Sequence, residues 1–273
     1  MYPHGRPMRA TVSPQMSPFD AIYVINLPSR PDRRAQMRSQ LRRIGLDPDA
    51  PPVVFLDAIR PDAPAGFPTI GARGCFLSHL AVLHDAHAAG HRRILVLEDD
   101  LNFADDFGRR LARSAQAAER QGWDVWYLGA LSVQAPHDDL PASGDAAARP
   151  PAVWRTEPLA DDVVMLPPDS VVLGTHMLAL GADAIARLLP YLQAMLTRPV
   201  GDVAGGPMHV DGAYGWFRRA HPDLRTLLAT PSLGYQRPSR TDVHPLRWFD
   251  RLPGVHRAAD LVRRARAGRA GPR

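Results

Sequence analysis

Lysine is absent from this sequence: all 33 of its Lys-plus-Arg positions are Arg. That excludes Schiff-base chemistry and the lysine of a phosphate-binding loop. Cysteine is nearly absent too. Cys75 stands alone among 273 residues, so an intrachain disulfide and a cysteine-based zinc cluster are both excluded. The role expected of Cys75 is a small buried hydrophobe, not a nucleophile. No apolar run approaches the roughly 20 residues needed to cross a bilayer. The opening MYPHGRPMRATVSPQMSPFD has Arg but lacks the apolar segment of a secretory signal. A cytoplasmic location is the expectation. Net charge is also small over most of the chain. The net charge is +5, yet residues 246–273 alone hold eight Arg and two Asp, so the remainder is close to neutral. An enzyme of nucleic acid needs basic charge around its groove, so nucleic acid is not an expected partner.

What is present is an acidic run at the end of an apolar one. In RILVLEDDL, residues 93–101, four apolar residues are followed by Glu98, Asp99 and Asp100. A continuous apolar run of this length reads as a strand buried on both faces. Ligands of open α/β sheets bind at the carboxyl ends of strands. Adjacent carboxylates repel unless a cation holds them, and hard oxygen donors suit Mg2+ or Mn2+ shared with substrate phosphates. Glu98 and Asp100 would point the same way if strand geometry persists past Glu98. The competing reading is an acidic loop that caps the next helix.

Around this run the chain alternates strand and helix. AIYVINL (21–27) is a first strand, and PSRPDRRAQMRSQLRRIGL leads into a helix with Ser29 as cap, Pro31 in its first turn and Gly45 at its end. PVVFLDAI is a second strand. GARGCFLSHLAVLHDAHAAG (71–90) is a second helix, and FADDFGRRLARSAQAAERQG (103–122) a third. WDVWYLGA, AVWRTE, DVVML, SVVLGTHMLAL and LRTLLATP read as further strands, GADAIARLLPYLQAML and HVDGAYGWFRRA as further helices. Residues 131–150 read as a long polar loop and QRPSRTDVHP as an irregular segment. Such alternation predicts a mostly parallel sheet flanked by helices, with the ends of the first and third strands on one rim. Residues 1–19 are expected to be a disordered leader, 20–245 one domain, and 246–273 a basic amphipathic tail suited to an anionic membrane surface or a partner.

Three separated stretches carry a resemblance. IYVINLPSRPDRR, GARGCFLSHLAVLHDA and ILVLEDDL resemble, in order and spacing, the opening strand, the Gly-x-x-Gly-Cys-x-x-Ser-His helix and the Leu-Glu-Asp-Asp signature of glycosyltransferase family 25, whose members build lipooligosaccharide and related glycans. GTHMLALGADAIARLL is similar to the family's strand-to-helix segment ahead of the acceptor region. The resemblance spans about residues 20–245. It implies a GT-A-like nucleotide-sugar fold and transfer of a hexose, commonly galactose and with inversion, from a UDP-sugar to a glycan or lipid-linked acceptor. The place implied is cell-surface polysaccharide synthesis, with a peripheral position at the inner membrane as the variant the tail would allow. The competing reading is a catalytically degenerate membrane-surface adaptor.

The same resemblance distributes roles. Asp100 first, and Glu98 second, would hold Mn2+ or Mg2+ on the donor diphosphate. Asp99 would contact the donor or orient its neighbours, with a capping role beside Asn102 as the alternative. Asn26, Arg30 and Arg33 follow the first strand and would bind the nucleotide, Arg being able to grip a diphosphate bidentately. Ser78 and His79 would flank the same cleft. Inversion needs a general base, for which Asp211 is the candidate and Asp202 the reserve, each equally readable as a helix cap. His209 and His244 are candidate third metal ligands. Gly174, Thr175 and His176, with Trp216 or Trp126, are candidate acceptor contacts.

Overall fold

A computed structural model of the chain describes residues 18–134, 158–160 and 162–237. The expected leader up to residue 17, most of the 131–150 loop, AVWRTE, His244 and the basic tail lie outside these residues. The elements run β1 (Ala21–Asn26), α1 (Pro31–Arg43), β2 (Val53–Asp57), α2 (Ile70–Ala88), β3 (Arg93–Glu98), β4 (Leu101–Phe103), α3 (Phe107–Gln121), β5 (Val125–Gly129) and β6 (Ser132–Gln134). They continue β7 (Pro158–Ala160), β8 (Val163–Leu166), β9 (Val171–Leu173), β10 (Met177–Gly181), α4 (Ala182–Thr197), α5 (Val210–Ala220), β11 (Thr226–Ala229) and β12 (Gly234–Gln236).

Eight strands form one sheet in the order β2-β1-β3-β10-β5-β11-β8-β7. Only β10 and β8 run against the other described strands of that sheet. This is the expected α/β architecture, with a mostly parallel central sheet and helices on both faces. Side chains alternate across the sheet with period two. Tyr23, Ile94, Val96, Tyr127 and Leu178 pack with α2, α4 and α5 on one face. Ile22, Val24, Leu95, Leu97 and Trp126 pack with Met37, Leu41, Phe107 and Leu111 of α1 and α3 on the other. Both faces are therefore dry, which is why β1 and β3 read as unbroken apolar runs.

The register sets the rim. Ile25 of β1 lies opposite Glu98 of β3. Met177, the first residue of the antiparallel β10, lies opposite Leu97 on one side and Gly129 on the other. The carboxyl ends of β1, β3 and β5 thus meet the entrance to β10, and residues 174–176 arrive there from β9.

Several local expectations change. SVVLGTHMLAL is two strands, not one: Gly174 takes a left-handed φ of +88° and breaks the run, so β9 pairs with β6 and β10 enters the main sheet. Phe103 ends a short strand instead of opening a helix, and β4 pairs with β12, a strand the sequence did not announce. Ser29 does not cap α1; Arg30 precedes it without a side-chain cap, and Pro31 occupies the first turn as expected. Helix α2 is capped by Thr69, whose Oγ1 accepts from the Ala72 N–H at 2.9 Å.

Helix α2 packs closely on the segment after β2. A Cβ placed on Gly74 would lie 2.5 Å from the Ile59 carbonyl oxygen and 3.2 Å from Pro61 Cδ. Backbone is the obstacle, so the helix has to move. We expect Gly74→Ala to destabilise the protein by about 1–3 kcal/mol, read as a lower urea midpoint at unchanged slope. Gly215→Ala is the control: its Cβ would meet nothing within 4 Å, so helix propensity makes it neutral or stabilising.

Candidate functional site

The acidic run sits on the rim, and its three carboxylates have three different environments. Strand β3 ends at Glu98, and Asp99 and Asp100 form a turn. Strand geometry does not persist, so it does not align Glu98 with Asp100.

Asp99 is buried at 6% exposure. Its Oδ1 accepts from Arg33 Nη1 at 2.9 Å and its Oδ2 from Asn26 Nδ2 at 2.7 Å. Asn26 comes from the end of β1 and Arg33 from the first turns of α1, so Asp99 ties both to the acid turn. Asn26 Nδ2 also reaches the Arg30 carbonyl at 3.3 Å. Arg30 itself is directed outward, with Nε and Nη2 donating to Asp32 at 3.0 and 2.9 Å. Asp100 lies 3.6 Å from the Arg33 guanidinium through Oδ2, while its Oδ1 is buried without a hydrogen-bond partner.

Among the described residues, no arginine forms an ion pair with Glu98. Thr175 Oγ1 donates to its Oε1 at 3.2 Å and Gln236 Nε2 to its Oε2 at 2.9 Å. Burial, then the Asp100 charge, pushes the Glu98 carboxyl up to about 8; Thr175 and Gln236 offset part of this. Burial also raises Asp100, against the pull of Arg33. Arg237 straps the turn from outside. Its backbone N–H donates to the Asp100 carbonyl at 2.7 Å, and its guanidinium donates to Leu101 O at 3.1 Å, to Asn102 Oδ1 at 3.0 Å and to the Asp99 carbonyl.

Two side chains of α2 face this turn, one helical turn apart. Cys75, His79 and Glu98 each bring a ligand atom within 4.8 Å of the others. His79 Nδ1 is 3.2 Å from the Tyr214 hydroxyl, and its Nε2 is buried without a partner. Burial lowers its pKa to about 4, so the ring is neutral at pH 7. Ser78 turns elsewhere: its hydroxyl donates to Gly74 O at 2.7 Å and accepts from the Ile59 N–H at 2.9 Å, fastening the helix to the segment after β2.

Asp211, in the first turn of α5, reaches the same hollow. The Gly174 N–H donates to its Oδ2 at 3.4 Å, and its charge, with those of Glu98 and Asp100, raises the Cys75 thiol beyond the larger effect of burial. Buried Arg218 anchors α5 by donating to Thr226 Oγ1, Ser170 O and Pro167 O at 3.1, 3.2 and 2.7 Å. Asp202 is spent in a turn, where its Oδ1 accepts from the Ala204 N–H at 2.7 Å. His209 precedes α5. His176 is fully buried among Gly129, Gly174 and Gly234 and is lowered to about 4. Trp126, 1% exposed in the core, has no face to offer a sugar. Trp216 lies at the surface of α5 with Arg219 over its ring.

The structure thus gathers Asn26, Arg33, His79, Glu98, Asp99, Asp100, Thr175 and Asp211 at one rim, and leaves Arg30 and Ser78 engaged at its margins. Gln236, Arg237 and Tyr214 were missed. Gln236 ends a three-residue strand and Arg237 follows it, inside a stretch with no periodicity to betray either, and Tyr214 reads as one more apolar residue of α5. Cys75 is half-buried rather than buried as expected, with its thiol raised as suits a residue that is not a nucleophile, and its neighbours at the acid turn come from other elements.

Residues 67–139 match the model of Glycosyltransferase family 25 (LPS biosynthesis protein), which bears out the resemblance seen in the sequence. The inactive glycosyltransferase 25 family member 3 of Mus musculus is 32% identical over 165 residues, 51% of this chain and 28% of that protein. Its Homo sapiens counterpart is 36% identical over 143 residues, 46% and 24% of the two chains. Procollagen galactosyltransferase 1-B of Xenopus laevis is 30% identical over 149 residues, 48% and 24%. The chain spans less than a third of the length of these relatives.

The titrations make a stability prediction for the protein in chelator. His79 and His176 hold fewer protons folded than unfolded between about 4 and 6.5, so they add stability as pH rises through that window. Glu98 holds more protons folded than unfolded between 4.5 and about 8, so its contribution falls as pH rises. Above 6.5 only the second trend remains of these three. We expect the melting temperature to decline from pH 6.5 toward 8 in wild type, and the decline to flatten in Glu98→Gln; equal slopes in the two proteins would contradict the assignment.

Proposed function

With similarity to glycosyltransferase family 25 as the premise, we propose that the chain is a metal-dependent hexosyltransferase. It takes a hexose, galactose first among the candidates, from a UDP-sugar to a hydroxyl of a glycan or lipid-linked acceptor in cell-surface polysaccharide or lipopolysaccharide synthesis. The observation that carries the reading is the pair Glu98 and Asp100 on the rim, with a buried Asp100 oxygen that has no hydrogen-bond partner. An all-oxygen, doubly acidic donor pair fits Mn2+ or Mg2+. Glu98 and Asp100 would hold the ion, which when bound supplies positive charge to the departing diphosphate.

The chain's own residues then divide the work. Asp99, neutralised by Arg33 and hydrogen-bonded by Asn26, fixes the turn that presents its neighbours. Arg33 lies beside two of the three acids and in this reading meets a phosphate oxygen of the donor. Asp211 takes the proton of the acceptor hydroxyl as the acceptor oxygen bonds to C1 of the sugar and the C1–phosphate oxygen bond breaks, which gives inversion. In this reading residues 20–245 are the catalytic unit in the cytoplasm, and the basic tail holds it at an anionic membrane face.

A second reading has a specific observation behind it. Several of the similar relatives carry "inactive" in their names, and a non-catalytic adaptor docking through the tail would share their sequence. The two readings part in one assay. UDP-galactose turnover that requires Mn2+ and falls on the order of 100-fold or more in Asp100→Asn supports the transferase. Asp211→Asn is expected to lower kcat by about 10²–10⁴ with little change in donor KM. Binding to anionic vesicles with no turnover of any nucleotide sugar supports the adaptor.

A further inference from the structure

Cys75, His79 and Glu98 place a sulfur, an imidazole nitrogen and a carboxylate oxygen within 4.8 Å of one another. The set draws on two elements: Cys75 and His79 lie four residues apart on α2, and Glu98 ends β3. A second observation points to a ligand here. His79 is 1% exposed, its Nδ1 is engaged by the Tyr214 hydroxyl, and its Nε2 is buried with no partner. A buried ring nitrogen without a partner has lost its water without gaining a hydrogen bond, and an imidazole oriented through its other nitrogen by an outer group is the usual arrangement of a metal-bound histidine.

We propose that Cys75, His79 and Glu98 form a seat for a thiophilic divalent cation such as Zn2+, distinct in donor chemistry from the all-oxygen pair of Glu98 and Asp100. Thiolate and imidazole favour Zn2+ and Co2+ over Mg2+. A thiolate, a neutral imidazole and a carboxylate balance the charge of a divalent ion. Three protein donors leave a fourth tetrahedral position open. Tetrahedral bonds of about 2.0–2.3 Å require donors about 3.4 Å apart, so the three side chains close by on the order of 1 Å on binding. On coordination the Cys75 thiol gives its proton to solvent and the sulfur lone pair enters the metal bond, so binding strengthens as pH rises. The two seats share Glu98 and exclude one another. The consequence, that Zn2+ opposes Mn2+ activation, rests on the transferase reading; the seat itself does not.

Cys75 is the sole cysteine, so thiol chemistry on the full-length native protein reports on it alone. One equivalent of Zn2+ is expected to slow its alkylation by iodoacetamide at least tenfold, with EDTA restoring the rate and millimolar Mg2+ having no effect. Co2+ is expected to give a thiolate-to-cobalt charge-transfer band in the near ultraviolet that is lost in Cys75→Ser, weakened at least tenfold in affinity in His79→Ala, and kept in Asp100→Asn. Alkylation indifferent to Zn2+, or a cobalt spectrum identical in wild type and Cys75→Ser, overturns the proposal. If Cys75→Ser does not fold, the alkylation arm on wild type decides. Neither readout uses a sugar nucleotide. A failed donor assay therefore leaves this seat standing, and a missing cobalt band leaves the oxygen pair standing.

Discussion

Three consecutive carboxylates at the buried end of a central strand are the constraint that the rest of this molecule answers. Such groups repel, and each loses hydration on entering the fold. The Arg33–Asp99 contact at 2.9 Å is the principal answer. It lies in a region where both side chains are about nine-tenths buried, so removing either partner would leave a charge uncompensated, at a cost of about 3–5 kcal/mol. Asn26 completes the clasp from β1. Two strands and a helix are thereby held at one point, at the turn that follows β3.

The clasp is selective. Arg33 neutralises Asp99 directly and reaches Asp100 only at 3.6 Å. Glu98 is met by neutral donors, Thr175 and Gln236. Arg33 therefore pairs fully with the middle carboxylate and less closely with its neighbours, while burial, ahead of the charges around them, is what raises Glu98 and Asp100. A purely structural acidic turn gains nothing from that inequality. A turn that receives a cation and an anionic substrate needs it, because a fully paired carboxylate has no affinity left to offer.

Much of this was legible in the sequence. The apolar runs of β1 and β3 are long enough and β-branched enough to be strands under any packing, and right-handed crossovers put their ends side by side before any coordinate is known. That is why Asn26, Arg33 and the acidic run could be placed together. Three things were hidden. Gly174 breaks a run that hydropathy alone shows as continuous, because the signal for a break is one backbone dihedral. Strands β4 and β12 are three residues each, too short for any period to register, yet β12 delivers Gln236 to Glu98 and Arg237 to the turn. The partners of Cys75 come from other elements, and a lone cysteine carries no sign of what the fold will set beside it.

Helix α2 shows how a recognisable motif turns into mechanics. Thr69 starts the helix by accepting the Ala72 N–H. Gly74 lets its backbone approach the Ile59 carbonyl more closely than any side chain would allow. Ser78, one turn later, fixes that approach by accepting the Ile59 N–H and donating to Gly74 O. With the helix pinned at that distance and rotation, the residues following each of these two, Cys75 and His79, have to point at the acid turn, since successive helical positions differ by about 100° and the four alternate in pairs. The glycine and serine thus set the geometry, while the cysteine and histidine use it. A serine at 78 therefore need not touch a substrate to matter to the site: its hydroxyl determines where the histidine beside it can be.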